Sequence, residues 1–255
     1  MKNIYRQIAI IASTIITLTV NGLANALPLN GMTTGEISDA FDTFFVPAGY
    51  VFSIWGLIYI GLIALTIFQA LPAQRENPRL VRVGWWLVTA NLANAAWIFL
   101  WHYQQFAFTL IAMLTLLVSL LNIYVGIQKG KQNLSLAERL SINLPISIYL
   151  GWISVATIAN ISDVLVYFNW GQFGLSASTW MVILLAVVSA LAWAMSLRQR
   201  DTAYLAVLLW ALAGIGVKFP ASGVVTTSIW VSFGLVAFAF AWAVFPKETL
   251  NRRSP

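Results

Sequence analysis

Residues Pro47–Tyr59 read PAGYVFSIWGLIY, a stretch that begins like a polar turn and ends like a helix in lipid. Pro47 restricts the backbone around it, and Gly49 permits a sharp entry. Tyr50 can set its ring in lipid and its hydroxyl in water. Phe52 and Trp55 follow three residues apart, and Trp55 and Tyr59, four apart, share one helix face. No charge interrupts the stretch. It reads as a rigid rim where a long outer loop meets a membrane helix, and it fits either a pocket mouth or plain interfacial anchoring.

Working outward, the composition is that of a polytopic membrane protein. Of 255 residues, 60% are hydrophobic and 9% charged, with a mean hydropathy of +0.82; soluble domains carry roughly 25% charged residues. A spanning helix needs about 20 apolar residues. Eight stretches meet or approach that length, at about 8–27, 50–71, 82–101, 106–127, 141–160, 176–197, 202–219 and 223–245. The expected fold is therefore an all-α polytopic bundle. With the amino terminus inside, the inner segments hold Lys2, Arg6, Arg75, Arg79, Arg82, Lys129, Lys131, Arg139, Arg198, Arg200, Lys247, Arg252 and Arg253, leaving Lys218 as the one basic residue outside. This follows the positive-inside rule and predicts both termini in the cytoplasm. The acids divide evenly, with Glu76, Glu138, Asp201 and Glu248 inside and Glu36, Asp39, Asp42 and Asp163 outside. The basic residues lie in short clusters between apolar runs, so no nucleic-acid partner is expected despite the net charge of +6.

The first span has two readings. Lys2, Arg6 and Ala24-Asn25-Ala26 fit a cleaved signal. Ser13, Thr17, Asn21 and Asn25, at steps of four, form a polar stripe that fits a packed helix. The outer loop from Pro28 to Gly49 is the longest connection and carries three acids and no base.

Familiar catalytic chemistry is scarce. There is no Cys and one His, His102, at the outer end of the third span. No metal or other cofactor is expected, and no catalytic residue stands out. No acid is expected mid-membrane, which disfavours a proton-driven transporter. His102 reads as an interfacial residue, and Lys218 as an ammonium snorkelling to the outer surface. What remains is aromatic and amide. Trp55, Trp86, Trp97, Trp101 and Trp152 recur beside polar residues, whereas Trp85, Trp170 and Trp180 read as belt residues. Asn91, Asn94 and Trp97 step by three, as do Ser154, Thr157 and Asn160, placing amides and hydroxyls beside indoles. Either these polar groups hold neighbouring helices together, or the faces converge on a pocket for a large, flat, mostly apolar ligand.

At these residues the chain resembles the TspO/MBR family, the translocator proteins also called tryptophan-rich sensory proteins. Pro47-Ala48-Gly49-Tyr50-Val51-Phe52, then Ile54-Trp55 and Ile58-Tyr59, are similar to the family's Pro-Pro-Gly-Trp-Val-Phe, Val-Trp and Leu-Tyr run, with one residue fewer between Phe and Trp. Asn94 and Trp97 match the third helix; Tyr149, Trp152, Ala156, Thr157 and Asn160 match the fifth. The paired prolines that usually follow the third-helix Trp are missing, and Pro145 stands three residues early relative to Tyr149. No Tyr followed closely by a base comes after Asn160, so sterol binding does not carry over. The motifs cover about residues 1–165, and residues 166–255 add three further helices and a short basic tail.

The resemblance implies a five-helix bundle with a pocket beneath the first long loop, tetrapyrrole ligands, and homodimers as the common assembly. Trp55, Asn94, Trp97, Trp152, Ala156, Thr157 and Asn160 would line that pocket, with Tyr50, Phe52 and Tyr59 at its rim and the loop as its lid. The implied protein is a ligand binder, sensor or transporter of a bacterial inner membrane. The alternatives are a small-solute carrier using all eight helices, broken near Pro145 and Gly214/Gly216, and a light-dependent porphyrin-oxidising enzyme.

Overall fold

The computed structural model describes residues 2–27, 29–129, 134–221 and 223–245. Expectations placed on Lys131, Lys247, Glu248, Arg252, Arg253 and the basic tail lie outside the described residues, as do Pro28 and the side chain of Lys2. Among the described residues nine α-helices follow in order: α1 (Lys2–Ala26), the short α2 (Thr34–Asp39), α3 (Ile54–Ala70), α4 (Pro78–His102), α5 (Phe106–Gln128), α6 (Leu136–Tyr167), α7 (Ala177–Gln199), α8 (Thr202–Lys218) and α9 (Val224–Val244). Seven of the eight apolar helices are long and apolar enough to cross a membrane, counting α3 with its entry turn from Gly49; α8, at 17 residues, is the short one. At 1.5 Å per residue it still reaches roughly 26 Å. The chain is an all-α integral membrane protein.

Five helices close a ring. α1 packs on α3 and α4, α4 on α5, α5 on α6, and α6 back on α3. The other three form an outer trio, attached where α8 packs on α6, with α9 between α8 and α7. Large apolar side chains such as Ile60, Ile111, Val125 and Phe238 remain exposed around the outside, as expected of a surface solvated by acyl chains.

The polar stripe of α1 turns inward. Ser13, Thr17 and Asn21 are buried. Asn91 of α4 donates to Ser13 Oγ at 3.1 Å and to Thr14 Oγ1 at 2.9 Å, and Thr17 Oγ1 donates to the Asn91 carbonyl at 2.8 Å. Such bonds hold helices together where apolar burial cannot distinguish protein from lipid. Asn91 is therefore a helix-packing residue.

The described arginines gather at one end of the bundle, where several meet helix C-termini. Arg79 donates to the Ile127 carbonyl (3.0 Å) and Asn143 Oδ1 (2.7 Å) and faces Glu138 at 3.5 Å. Arg82 reaches the Gly126 carbonyl at 3.1 Å, and Arg200 the Trp242 carbonyl at 2.8 Å. Each satisfies carbonyls that a helix end leaves without intrahelical partners.

Three expectations are corrected. Asp163, placed in an outer loop, lies inside α6 and is 2% exposed, because that helix continues to Tyr167. Gly214 and Gly216 do not break a helix; α8 runs unbroken through both, and they serve close packing. A β-carbon on Gly214 would stand 2.0 Å from Val51 Cγ2, and one on Gly216 2.9 Å from the Trp230 ring. Pro145 does not break α6 either. A π turn at Arg139–Asn143 precedes it, widening the backbone where the ring would otherwise meet the carbonyl four residues back.

Candidate functional site

The site lies at the end of the bundle opposite the arginines, beneath a lid formed by the chain between α1 and α3. The lid is built locally first. Thr33 and Glu36 make a reciprocal capping box that starts α2, and Asn30 takes the left-handed conformation (φ 59°) in the turn before it. Thr33 donates from its backbone N–H and its hydroxyl to Glu36 Oε2 at 2.7 and 2.8 Å. These bonds hold the Glu36 carboxyl below its ordinary range.

One edge of the lid is fixed to α4. Trp101 Nε1 donates to the Thr34 carbonyl at 3.2 Å, and Asn30 Nδ2 to the His102 carbonyl at 3.0 Å. His102 is fully buried, with Nδ1 3.1 Å from the Leu29 carbonyl and Nε2 3.0 Å from Thr34 Oγ1. A carbonyl only accepts, so Nδ1 carries a proton, and in the neutral ring Nε2 accepts from Thr34. His102 is thus a lid staple, which corrects its reading as an interfacial residue.

The other edge is fixed to α8. The Ala48 N–H donates to the Gly214 carbonyl at 3.1 Å, and Trp210 Nε1 to the Val51 carbonyl at 3.1 Å. Lys218 forms an ion pair with Asp39 of α2, and Phe219 meets Phe44 edge-on at 5.4 Å. Lys218 was expected to snorkel; it ties the outer trio to the lid.

Two cavities lie under the lid, and Thr34, Phe52 and Trp55 border both. The larger, about 540 Å3, opens between α1, α2 and α3 beside Asn21, Asn25, Glu36 and Tyr59. The smaller, about 40 Å3, is a chamber inside the ring, with walls that include Trp97, Trp101, Trp152, Ala156, Asn160 and Asp163. Trp97 and Trp101 stack with centroids 5.2 Å apart. Trp152 receives edge contacts from Phe52 at 5.9 Å and Trp55 at 6.1 Å, and Trp55 stacks on Tyr59 at 5.7 Å.

The structure brings Phe52, Trp55, Trp97, Trp152, Ala156 and Asn160 to the small chamber, and Phe52, Trp55 and Tyr59 to the large cavity. Three expected residues line neither. Tyr50 is 48% exposed and sits edge-on to Trp210 at 5.5 Å. Asn94 is fully buried and accepts from Asn21 Nδ2 at 2.7 Å. Thr157 donates back to the Ile153 carbonyl at 2.7 Å. Asn160 is also committed: it accepts from Trp97 Nε1 at 3.2 Å and donates to Thr109 Oγ1 at 2.9 Å. Trp86 turns outward, 40% exposed. Much of the amide pattern is therefore helix-to-helix bonding. Among the described residues, Trp152 Nε1 is one of several buried polar atoms without a hydrogen-bond partner.

Against known proteins, the family model described as TSPO-like protein matches residues 7–244. The chain belongs to the TSPO-like family. The match continues past residue 165 to the end of α9, so the outer trio of this TSPO-like protein falls within it, although the motifs said nothing of those helices. No curated protein and no solved structure matches the chain.

Trp101 and Asp163 are among the wall residues that lie outside the lining implied by the resemblance. Trp101 lies four residues after Trp97 and so shares its face, a signal that was available. Asp163 had no comparable signal, because only the true length of α6 brings it into the wall.

Proposed function

We propose that this TSPO-like membrane protein binds a flat, mostly apolar organic compound of the tetrapyrrole kind beneath its lid, to sense, sequester or pass it on. The observation that carries this reading is the pair of cavities beneath the lid that share the aromatic walls Phe52 and Trp55; the indole N–H of Trp152, a wall residue, is buried without an acceptor. Buried donors are nearly always satisfied, and a binding site is a common reason for an exception. The larger cavity has a volume typical of small-molecule sites; the chamber is too tight for a macrocycle. A tetrapyrrole would lie in the larger cavity against Trp55 and Tyr59, with one edge at the chamber. The Lys and Arg placement supports an arginine end in the cytoplasm and a lid outside, and the short basic inner loops suit an inner membrane of the bacterial kind.

Protein in nanodiscs titrated with protoporphyrin should show saturable quenching of Trp fluorescence. Trp55→Ala removes the wall shared by both cavities, and Ala156→Phe fills the chamber. Each should weaken binding about tenfold or more, in line with loss of a buried aromatic contact. Trp86→Ala, on the outer surface, should leave it unchanged. Unaltered binding in both site variants would place the ligand elsewhere.

A further inference from the structure

Asp163 is the one acid in the wall of the small chamber. It lies one turn before the end of α6 and is 2% exposed. Among the described residues its one hydrogen bond comes from Thr43 Oγ1 to Oδ1, at a long 3.4 Å. Neither ion pair among the described residues includes it. Lys218 is the only described Lys or Arg at this end of the bundle; it pairs with Asp39 on the lid and reaches Asp163 only through its longer-range field, with no direct contact. A buried carboxylate without a cation is costly, and such groups are ordinarily paired. A hydroxyl or amide would serve as well to receive the Thr43 bond, so packing alone does not account for an acid here.

The surroundings specify the missing partner. Trp97, Trp101, Trp152, Trp55 and Phe52 stand around the same space. Indole faces attract cations, and walls of such rings are the recurring device for holding ammonium groups. A carboxylate among them supplies the net charge and repels anions. Trp152, one of these wall residues, also has a buried indole N–H without a hydrogen-bond partner. The chamber's volume, about 40 Å3, matches about three water molecules, room for an ammonium or methylated ammonium head but not for a ring system.

We propose that the chamber is a subsite for the ammonium head of an amphiphilic amine, with Asp163 as counter-ion and Trp97, Trp101 and Trp152 as its aromatic wall. The flat apolar body of the same molecule then occupies the larger cavity across Phe52 and Trp55. This rests on reading the two cavities as one ligand site, and it narrows the ligand class: acidic edges, such as tetrapyrrole propionates, are kept out of the chamber.

The test uses isothermal titration of the full chain in phosphatidylcholine nanodiscs with naphthylmethylammonium, naphthylmethanol and naphthoate. The ammonium should bind about tenfold or more tighter than the alcohol, as a desolvated cation between a carboxylate and indoles would, and naphthoate should not bind. Asp163→Asn should erase that preference and leave the alcohol unchanged. Ala156→Phe should abolish ammonium binding. Equal affinity for ammonium and alcohol in the unmodified protein overturns the proposal, as does a preference that survives Asp163→Asn or ammonium binding indifferent to Ala156→Phe. If Asp163→Asn fails to fold, the comparison in the unmodified protein decides. Protoporphyrin separates the two readings. Quenching that responds to Trp55→Ala and Ala156→Phe while ammonium shows no advantage leaves the ligand site standing and removes the cation subsite. Loss of both responses removes both.

Discussion

Gly214 shows how a single hydrogen atom sets the seam between ring and trio. Its α-carbon lies so close to the entry of α3 that an added methyl would collide with Val51 Cγ2 and come within 3.4 Å of Pro47 Cβ. Val51 is itself fully buried and has no free direction to move. Gly214→Ala should therefore cost roughly 1–3 kcal/mol despite its better helix propensity, because overpacking outweighs the propensity gain. Gly234→Ala, where nothing lies within 4 Å, should be neutral or slightly stabilising. Thermal unfolding of both variants in one detergent checks the contrast. The two glycines look alike in sequence, since what distinguishes them is a neighbour about 160 residues away along the chain. Asp163 was obscured for a related reason. Hydropathy places α6 but not its last two turns, and a carboxylate near the end of an apolar run reads as the loop that follows.

At the scale of the element, the lid helix α2 depends on its first turn. Glu36 accepts two bonds from Thr33, and its folded pKa lies below the ordinary value. A depressed carboxyl contributes fully above its ordinary pKa, and that contribution is lost as pH falls through the lowered one. Amide exchange in α2, corrected for intrinsic rates, should accelerate below about pH 4, and Glu36→Gln should remove the pH dependence. The Thr33-x-x-Glu36 spacing was a legible start signal for an element too short to announce itself by periodicity. The α1 stripe was legible except at Asn25, which stays exposed, because four-residue steps define a face and Ser13, Thr17 and Asn21 had to be satisfied somewhere. Their partners Asn91 and Asn94 were visible too, but spacing alone does not distinguish an amide that bonds a helix from one that meets a ligand. Here most bond helices.

For the whole molecule, the eight apolar helices and the basic end were readable because each rests on local composition. The work of the outer trio was not, since the contacts that define it, Lys218 with Asp39 and Gly214 with Ala48, join distant segments. Lys218→Met removes the only ion pair between trio and lid among the described residues. That exposed pair contributes on the order of 1 kcal/mol or less, so unfolding temperature should hardly change. Hydrogen exchange across residues 34–48 should nevertheless rise several-fold, because local opening draws on local contacts. Exchange that stays at the level of the unmodified protein would show that α8 holds the lid without the lysine.

Trp101 and His102 pin the cover on one side and α8 pins it on the other. A flap with a single hinge swings whenever its free edge lets go; a strap with two fastenings moves aside only when both release within the same moment. Passage through the lid itself then scales with the product of two small probabilities, which leaves the opening between α1, α2 and α3 as the easier way in and out.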